Sequence, residues 1–179
     1  MNCTVLGCGR WGSFLASFHS RNHKVVLWGR KGSKSFETLR NTRQNAYLTL
    51  PQQVELQDDL GLALAASETV IISISAQQLR DLASRINTYP VAGKTFILCM
   101  KGLEEASGKR LTQVMRECIT QPFGLAVWVG PGHVQDFLSG IPNCMVIDSD
   151  DRELTGHIVE EFQSELLRYQ RLCHANRML

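Results

Sequence analysis

Short runs of apolar, β-branched residues alternate with stretches whose apolar positions recur every three to four residues, from the first residues of the chain onward. That alternation is the pattern of parallel strands joined by crossover helices, so the class is α/β. The runs predicted as strands are residues 4–6, 24–28, 69–74, 95–100, 125–129 and 144–148. Several are apolar without alternation, as expected where helices cover both faces and neither meets water. Trp11, Phe14, Leu15 and Phe18 follow the i, i+3, i+4, i+7 spacing, as do Leu79, Leu82, Ala83 and Ile86, and Leu111, Val114, Met115 and Cys118. Each set predicts one buried helical stripe. A further helix is predicted over 152–167, with Leu154, Ile158, Phe162 and Leu166 on its inner face. Residues 168–179, RYQRLCHANRML, hold three arginines and no clear period, which predicts a loosely held tail.

Bulk numbers narrow the class further. A length of 179 residues predicts a single domain with one sizeable core, residues 1–167. With 44% hydrophobic and 20% charged residues, and no biased tract or repeat, disordered and fibrous classes drop out. A net charge of +2 is too small and dispersed to argue for nucleic acid or a membrane surface. The first apolar run is too short for a signal-peptide core, and none approaches the ~20 apolar residues that span a bilayer. A soluble, cytoplasmic chain is expected. The six cysteines, at 3, 8, 99, 118, 144 and 173, form no CxxC pair and no zinc-type spacing with histidine, so reduced thiols and no metal are expected.

The first strand runs into Gly7-Cys8-Gly9-Arg10-Trp11-Gly12, a G-x-G-x-x-G that opens the first helix. In that context Gly7 permits a tight turn, Gly9 lets a pyrophosphate approach the backbone, and Gly12 lets the helix pack closely on the strand. Helix N–H groups and the positive end of the helix dipole then favour the anion without a lysine. The reading is a Rossmann-type doubly wound, mainly parallel sheet that binds a dinucleotide; a purely structural glycine turn is the alternative. NAD-preferring enzymes place an acid about 20 positions on, at the end of the second strand. Here that strand ends Trp28-Gly29-Arg30-Lys31 with no carboxylate, and the two cations suit the 2′-phosphate of NADP. They could also be solvated loop charges, so the cofactor reading is NADP or NAD, with NADP preferred. Residues 31–60 read mostly as loop with a short helix near 36–41, over the adenosine side.

Two later strands end in small or charged residues. Cys99-Met100-Lys101-Gly102 puts a cation at the carboxyl edge of an apolar strand, where ligands bind in open α/β sheets, and Val129-Gly130-Pro131-Gly132 leaves room there for a ring or substrate. A surface lysine and a plain turn are the alternatives. His133 could be an acid or base, but a histidine opening a helix more often faces solvent. No Ser/His/Asp set, metal cluster or paired-carboxylate arrangement can be assembled.

Taken in order, GCGRWG, WGR, CMKGLE and GPGHVQD resemble NAD(P)-dependent glycerol-3-phosphate dehydrogenase over residues 3–167. The resemblance implies that Arg10 and Trp11 contact the dinucleotide phosphates, that Arg30 with Lys31 holds the adenosine end, and that Tyr47 covers the cofactor. It implies that Lys101 touches both cofactor and glycerol phosphate, that Gly130 and Gly132 line the substrate site, and that Val134 lies against the cofactor. The activity it implies is interconversion of sn-glycerol 3-phosphate and dihydroxyacetone phosphate for phospholipid precursor synthesis, in a homodimer when full-length. Two residues depart from the family pattern: Gly132 stands where Ser, Thr or Ala is usual, and Arg10 where Ser or Ala is usual. Family members also continue into an all-helical second domain carrying the catalytic lysine, and nothing after Leu167 matches it. This chain alone is therefore expected to bind cofactor without useful turnover, either as an isolated domain or as the product of an early stop. The alternatives are a non-catalytic nucleotide-binding module and the N-terminal domain of a 6-phosphogluconate or hydroxy-acid dehydrogenase.

Overall fold

The most apolar strands owe their place to burial on both faces, and a computed structural model, which describes residues 2–171, shows where each strand lies. Its contacts divide the chain into two compact units, residues 1–74 and 75–179, where the length alone suggested one. A doubly wound nucleotide-binding fold is built from two such halves, each with its own strands and helices.

The first unit runs β1 (Asn2–Leu6), α1 (Arg10–His19), β2 (Lys24–Trp28), α2 (Lys34–Thr42), β3 (Glu55–Gln57), α3 (Leu60–Ala65) and β4 (Thr69–Ile72). Its strand order is β3-β2-β1-β4, all parallel, with Val5 level with Leu27 on one side and Ile71 on the other. Cys3, Thr4, Val5 and Leu6 are buried in succession, so both faces of β1 are covered. The one polar residue among them is satisfied: Thr4 Oγ1 donates to the Ala63 carbonyl at 2.8 Å. In α1 the buried set is Gly12, Leu15, Ala16 and His19 together with Ser13 and Phe14, while Trp11 and Phe18, placed in the apolar stripe by spacing, are half-exposed at its rim. The polar stretch 31–60 holds more order than expected, with α2 extending two residues before the expected helix, a three-residue strand, and the first residue of α3.

After a short 3-10 turn (Ala76–Gln78), the second unit runs α4 (Leu79–Ile86), β5 (Thr95–Leu98), α5 (Leu111–Cys118), β6 (Gly124–Val129), α6 (Val134–Leu138), β7 (Asn143–Ser149), α7 (Arg152–Phe162) and β8 (Leu167–Arg171). Its strand order is β5-β6-β7-β8, with β6 and β7 antiparallel and the other pairs parallel. Leu79, Leu82, Ala83 and Ile86, and Leu111, Val114 and Met115, are buried as their spacing predicts.

Two expectations near the end of the chain are corrected. The last helix stops at Phe162 rather than 167, and its buried residues are Thr155, Ile158, Val159 and Phe162 in place of Leu154 and Leu166. The Ser164 hydroxyl accepts from the Leu167 N–H at 3.0 Å and the Ser164 N–H donates to the Leu167 carbonyl at 2.9 Å, closing a turn that competes with further helix. The chain then enters β8, parallel to β7, so residues 168–171 are a strand and not a loose tail. The rest of that expected tail, 172–179 with Cys173, lies outside the described residues.

The cysteines at 3, 8, 99, 118 and 144 are free thiols. Among the described residues no helix is long and apolar enough to cross a membrane. Asp148 on β7 is an energetic outlier. It is buried with Oδ2 unpartnered, and burial raises its pKa. Asp148→Val, matching its β6 neighbour Val127, is expected to stabilise the protein at pH 7 by about 1–2 kcal/mol, the cost of an unsatisfied buried polar group. Urea midpoints of the two proteins check this.

Candidate functional site

The carboxyl end of β1 makes a turn that only glycine can make. Gly7 has φ +119°, and a Cβ there would lie 2.1 Å from the Ser73 carbonyl oxygen. Gly12, one turn into α1, would put a Cβ 1.9 Å from the Gly7 carbonyl oxygen, so helix and turn are in direct contact. Gly9 differs from both: a Cβ there would meet nothing within 4 Å. The open space above Gly9 is therefore not needed for internal packing. It lies at the N-cap of α1, whose first intrahelical bond runs from the Ser13 N–H to the Gly9 carbonyl at 2.9 Å. The N–H groups of a helix's first turn have no carbonyl in a preceding turn and, with the dipole, favour an anion. The tight turn at Gly7 and the close packing at Gly12 are as the spacing predicts, and at Gly9 the backbone is left open to approach from outside.

Arg10, Arg30 and Lys31 are all exposed, and the central carbon of the Arg10 guanidinium lies over the Tyr47 ring, 4.7 Å from its centroid; Tyr47 is itself 44% exposed. Trp11 is half-exposed and packs on Phe14. Sequence reasoning missed three residues that shape this end. Gly29 must be glycine, because a Cβ would lie 2.3 Å from the Phe36 ring and 2.8 Å from the Cys8 sulfur. The Cys8 thiol is buried, which raises its pKa, so it packs rather than reacts. Glu37 accepts the Gly32 N–H at 3.1 Å and so ties down the loop carrying Arg30 and Lys31. The acids after β3 are already engaged: Asp58 pairs with Arg40 at 3.2 Å and Asp59 caps α3.

In the second unit, parallel pairing brings the ends of β5 and β6 side by side. The exposed Lys101 ammonium donates to the Gly130 carbonyl at 2.8 Å, joining two motifs 29 residues apart. Gly130 and Gly132 are small for a reason that their motif did not reveal. A Cβ on Gly130 would lie 2.7 Å from the Met145 sulfur, and one on Gly132 would lie 2.7 Å from the Phe137 ring. Val134 is buried, and His133 is an exposed N-cap of α6. The loop leaving Lys101 is anchored on α4 and its preceding turn. Arg80 holds Glu104 through two bonds of 2.7 and 2.8 Å and reaches Glu117 at 3.0 Å, while Gln77 bonds the Leu103 carbonyl and the Glu105 N–H. The hydrogen bonds from Arg80, then Ser107, hold the Glu104 carboxyl down at about 2. No spacing rule links Arg80 to Glu104, so this anchor left no trace in the motifs.

The sequence profile of the NAD-dependent glycerol-3-phosphate dehydrogenase N-terminus matches residues 2–155. The chain belongs to that family. It is similar to the glycerol-3-phosphate dehydrogenase [NAD(P)+] of Pectobacterium carotovorum, 34% identical over 155 residues, which are 84% of this chain and 45% of the relative. The enzyme of that name from Chlorobium luteolum is 31% identical over 94% of this chain and 52% of its own length. The crystal structure of glycerol-3-phosphate dehydrogenase from Coxiella burnetii superposes with a TM-score of 0.86 at 20% identity, covering 96% of this chain and 54% of that one. That likeness shows the fold to be the Rossmann-type α/β arrangement of the glycerol-3-phosphate dehydrogenase N-terminus. The chain spans about half the length of the curated relatives it matches.

Proposed function

We propose that this chain is the dinucleotide-binding portion of a glycerol-3-phosphate dehydrogenase that interconverts sn-glycerol 3-phosphate and dihydroxyacetone phosphate, in the cytoplasm, toward glycerophospholipid precursors. The observation that carries the reading is Gly9, whose missing side chain leaves open space at a helix N-terminus while Gly7 and Gly12 are fixed by packing. In this reading Gly7, Gly9 and Gly12 shape the cradle, Arg10 and Trp11 flank the diphosphate, and Tyr47 stands behind Arg10. When bound, the nicotinamide supplies or accepts the hydride. The Lys101 ammonium, already donating to the Gly130 carbonyl, is the group that would bond substrate oxygen and stabilise charge developing on it. Arg30 and Lys31, with the nearby acids engaged elsewhere, favour NADP over NAD.

Residues 1–179 tested by themselves are expected to bind NADPH in calorimetry and to reduce dihydroxyacetone phosphate negligibly, since they match about half the length of active relatives. Failure to bind NADPH or NADH would sink the reading. Full turnover would instead show that this half alone completes the site.

A further inference from the structure

The segment between α2 and β3 is built as a rigid arm, and its tip bears on the glycine loop. Arg43, which ends α2, adopts φ 57°, a left-handed conformation that costs a non-glycine residue energy and so needs support from its surroundings. That support is visible. Its Nη2 donates to the carbonyls of Pro51, Gln52 and Val54 at 3.3, 2.7 and 2.9 Å, and its own carbonyl accepts the Leu50 N–H at 2.6 Å. Above this base Gln44 and Thr49 bridge, and the Asn45 carboxamide accepts the N–H groups of Tyr47 and Leu48 at 2.9 and 3.0 Å. The result is a tight turn that presents the face of the Tyr47 ring to the Arg10 guanidinium, whose central carbon lies over it.

A cation–π contact with the ring narrows the positions that the long Arg10 side chain takes, and a guanidinium held in place suits bidentate phosphate contact. Arg10 is also the first residue of α1, beside the cradle at Gly9. We infer that Tyr47 is a positioning residue: through the stack it orients Arg10 toward the diphosphate of the dinucleotide, with Arg43 and Asn45 holding Tyr47 in place. This rests on the dinucleotide reading above and deepens it. Because NADH and NADPH share the diphosphate and differ at the 2′-phosphate, the stack serves both equally, unlike Arg30 and Lys31.

The test titrates NADH and NADPH into the wild-type chain, Arg10→Ser, Tyr47→Leu, Tyr47→Phe and the Arg10→Ser/Tyr47→Leu double variant, with melting temperatures as the control for folding. Tyr47→Leu is expected to weaken both cofactors about two- to fivefold, the worth of an exposed cation–π contact. Tyr47→Phe should restore binding, and the double variant should bind no worse than Arg10→Ser. The upfield shift that the ring imposes on the Arg10 side-chain protons in the ligand-free protein should vanish in Tyr47→Leu. Wild-type binding with Tyr47→Leu unchanged, losses that simply add in the double variant, or a loss confined to NADPH would each overturn this role and leave the glycine cradle standing. Absence of wild-type binding to either cofactor would remove the dinucleotide reading and this inference with it.

Discussion

Gly9→Ala is expected to melt like the wild type and yet bind NADPH at least about tenfold more weakly, a loss of ~1.4 kcal/mol, whereas Gly12→Ala is expected to lose stability itself. The contrast follows from what each Cβ would meet. At Gly9 it enters open space, so folding is untouched and only a ligand seated there is displaced. At Gly12 it would sit 1.9 Å from the Gly7 carbonyl oxygen, where neither backbone can yield without moving α1 off the strand. Overpacking of that kind costs about 3 kcal/mol or more when both partners are main chain. Urea melts and NADPH titrations of the two variants separate the effects. Equal cofactor affinity in Gly9→Ala and wild type would mean that the phosphates lie elsewhere.

Acid is expected to weaken the fold through His19. This ring is buried on the inner side of α1, and burial first, then the charge of His23, lowers its pKa to about 3. The unfolded chain, with a histidine near 6.5, binds the proton more readily than the folded one between those values. The stability tied to neutral His19 is therefore complete above pH 6.5 and is lost as pH falls toward 3. Between pH 7 and pH 5 the loss amounts to about 2 kcal/mol. Asp148, whose raised pKa acts in the opposite sense, is cancelled by comparing variants. Urea midpoints across that range should fall for the wild type and fall much less for His19→Leu; parallel curves would show that the ring titrates normally.

Much of this was legible in the sequence where one residue type served one purpose. Continuous apolar runs gave away β1, β2, β4 and β5 because both faces are buried, and the glycine spacing located the turn at Gly7 and the close packing at Gly12 because each excludes a side chain. Strand ends were overrun at Ile74 and Met100, since apolar residues continue into half-buried loops beyond the last ladder pair. Three elements escaped: β3 has only three residues, α3 only six, and β8 reads Leu-Arg-Tyr-Gln-Arg, whose charges look like a tail and suit the edge of a sheet. At the site, motifs predicted a cation at Lys101 and small residues at Gly130 and Gly132. They could not show that Met145 and Phe137 fill the space beside those glycines, because both arrive from later elements. The Arg43 base and the Arg80 anchor were invisible for the same reason: each joins residues by shape and carbonyl geometry rather than by a repeating interval.

β8 ends the strand order beyond β7. Among the described residues no strand pairs with its outer rim, and the exposed Arg168 is a charge of the kind that discourages an arriving strand. High ionic strength screens such a charge and weakens that protection.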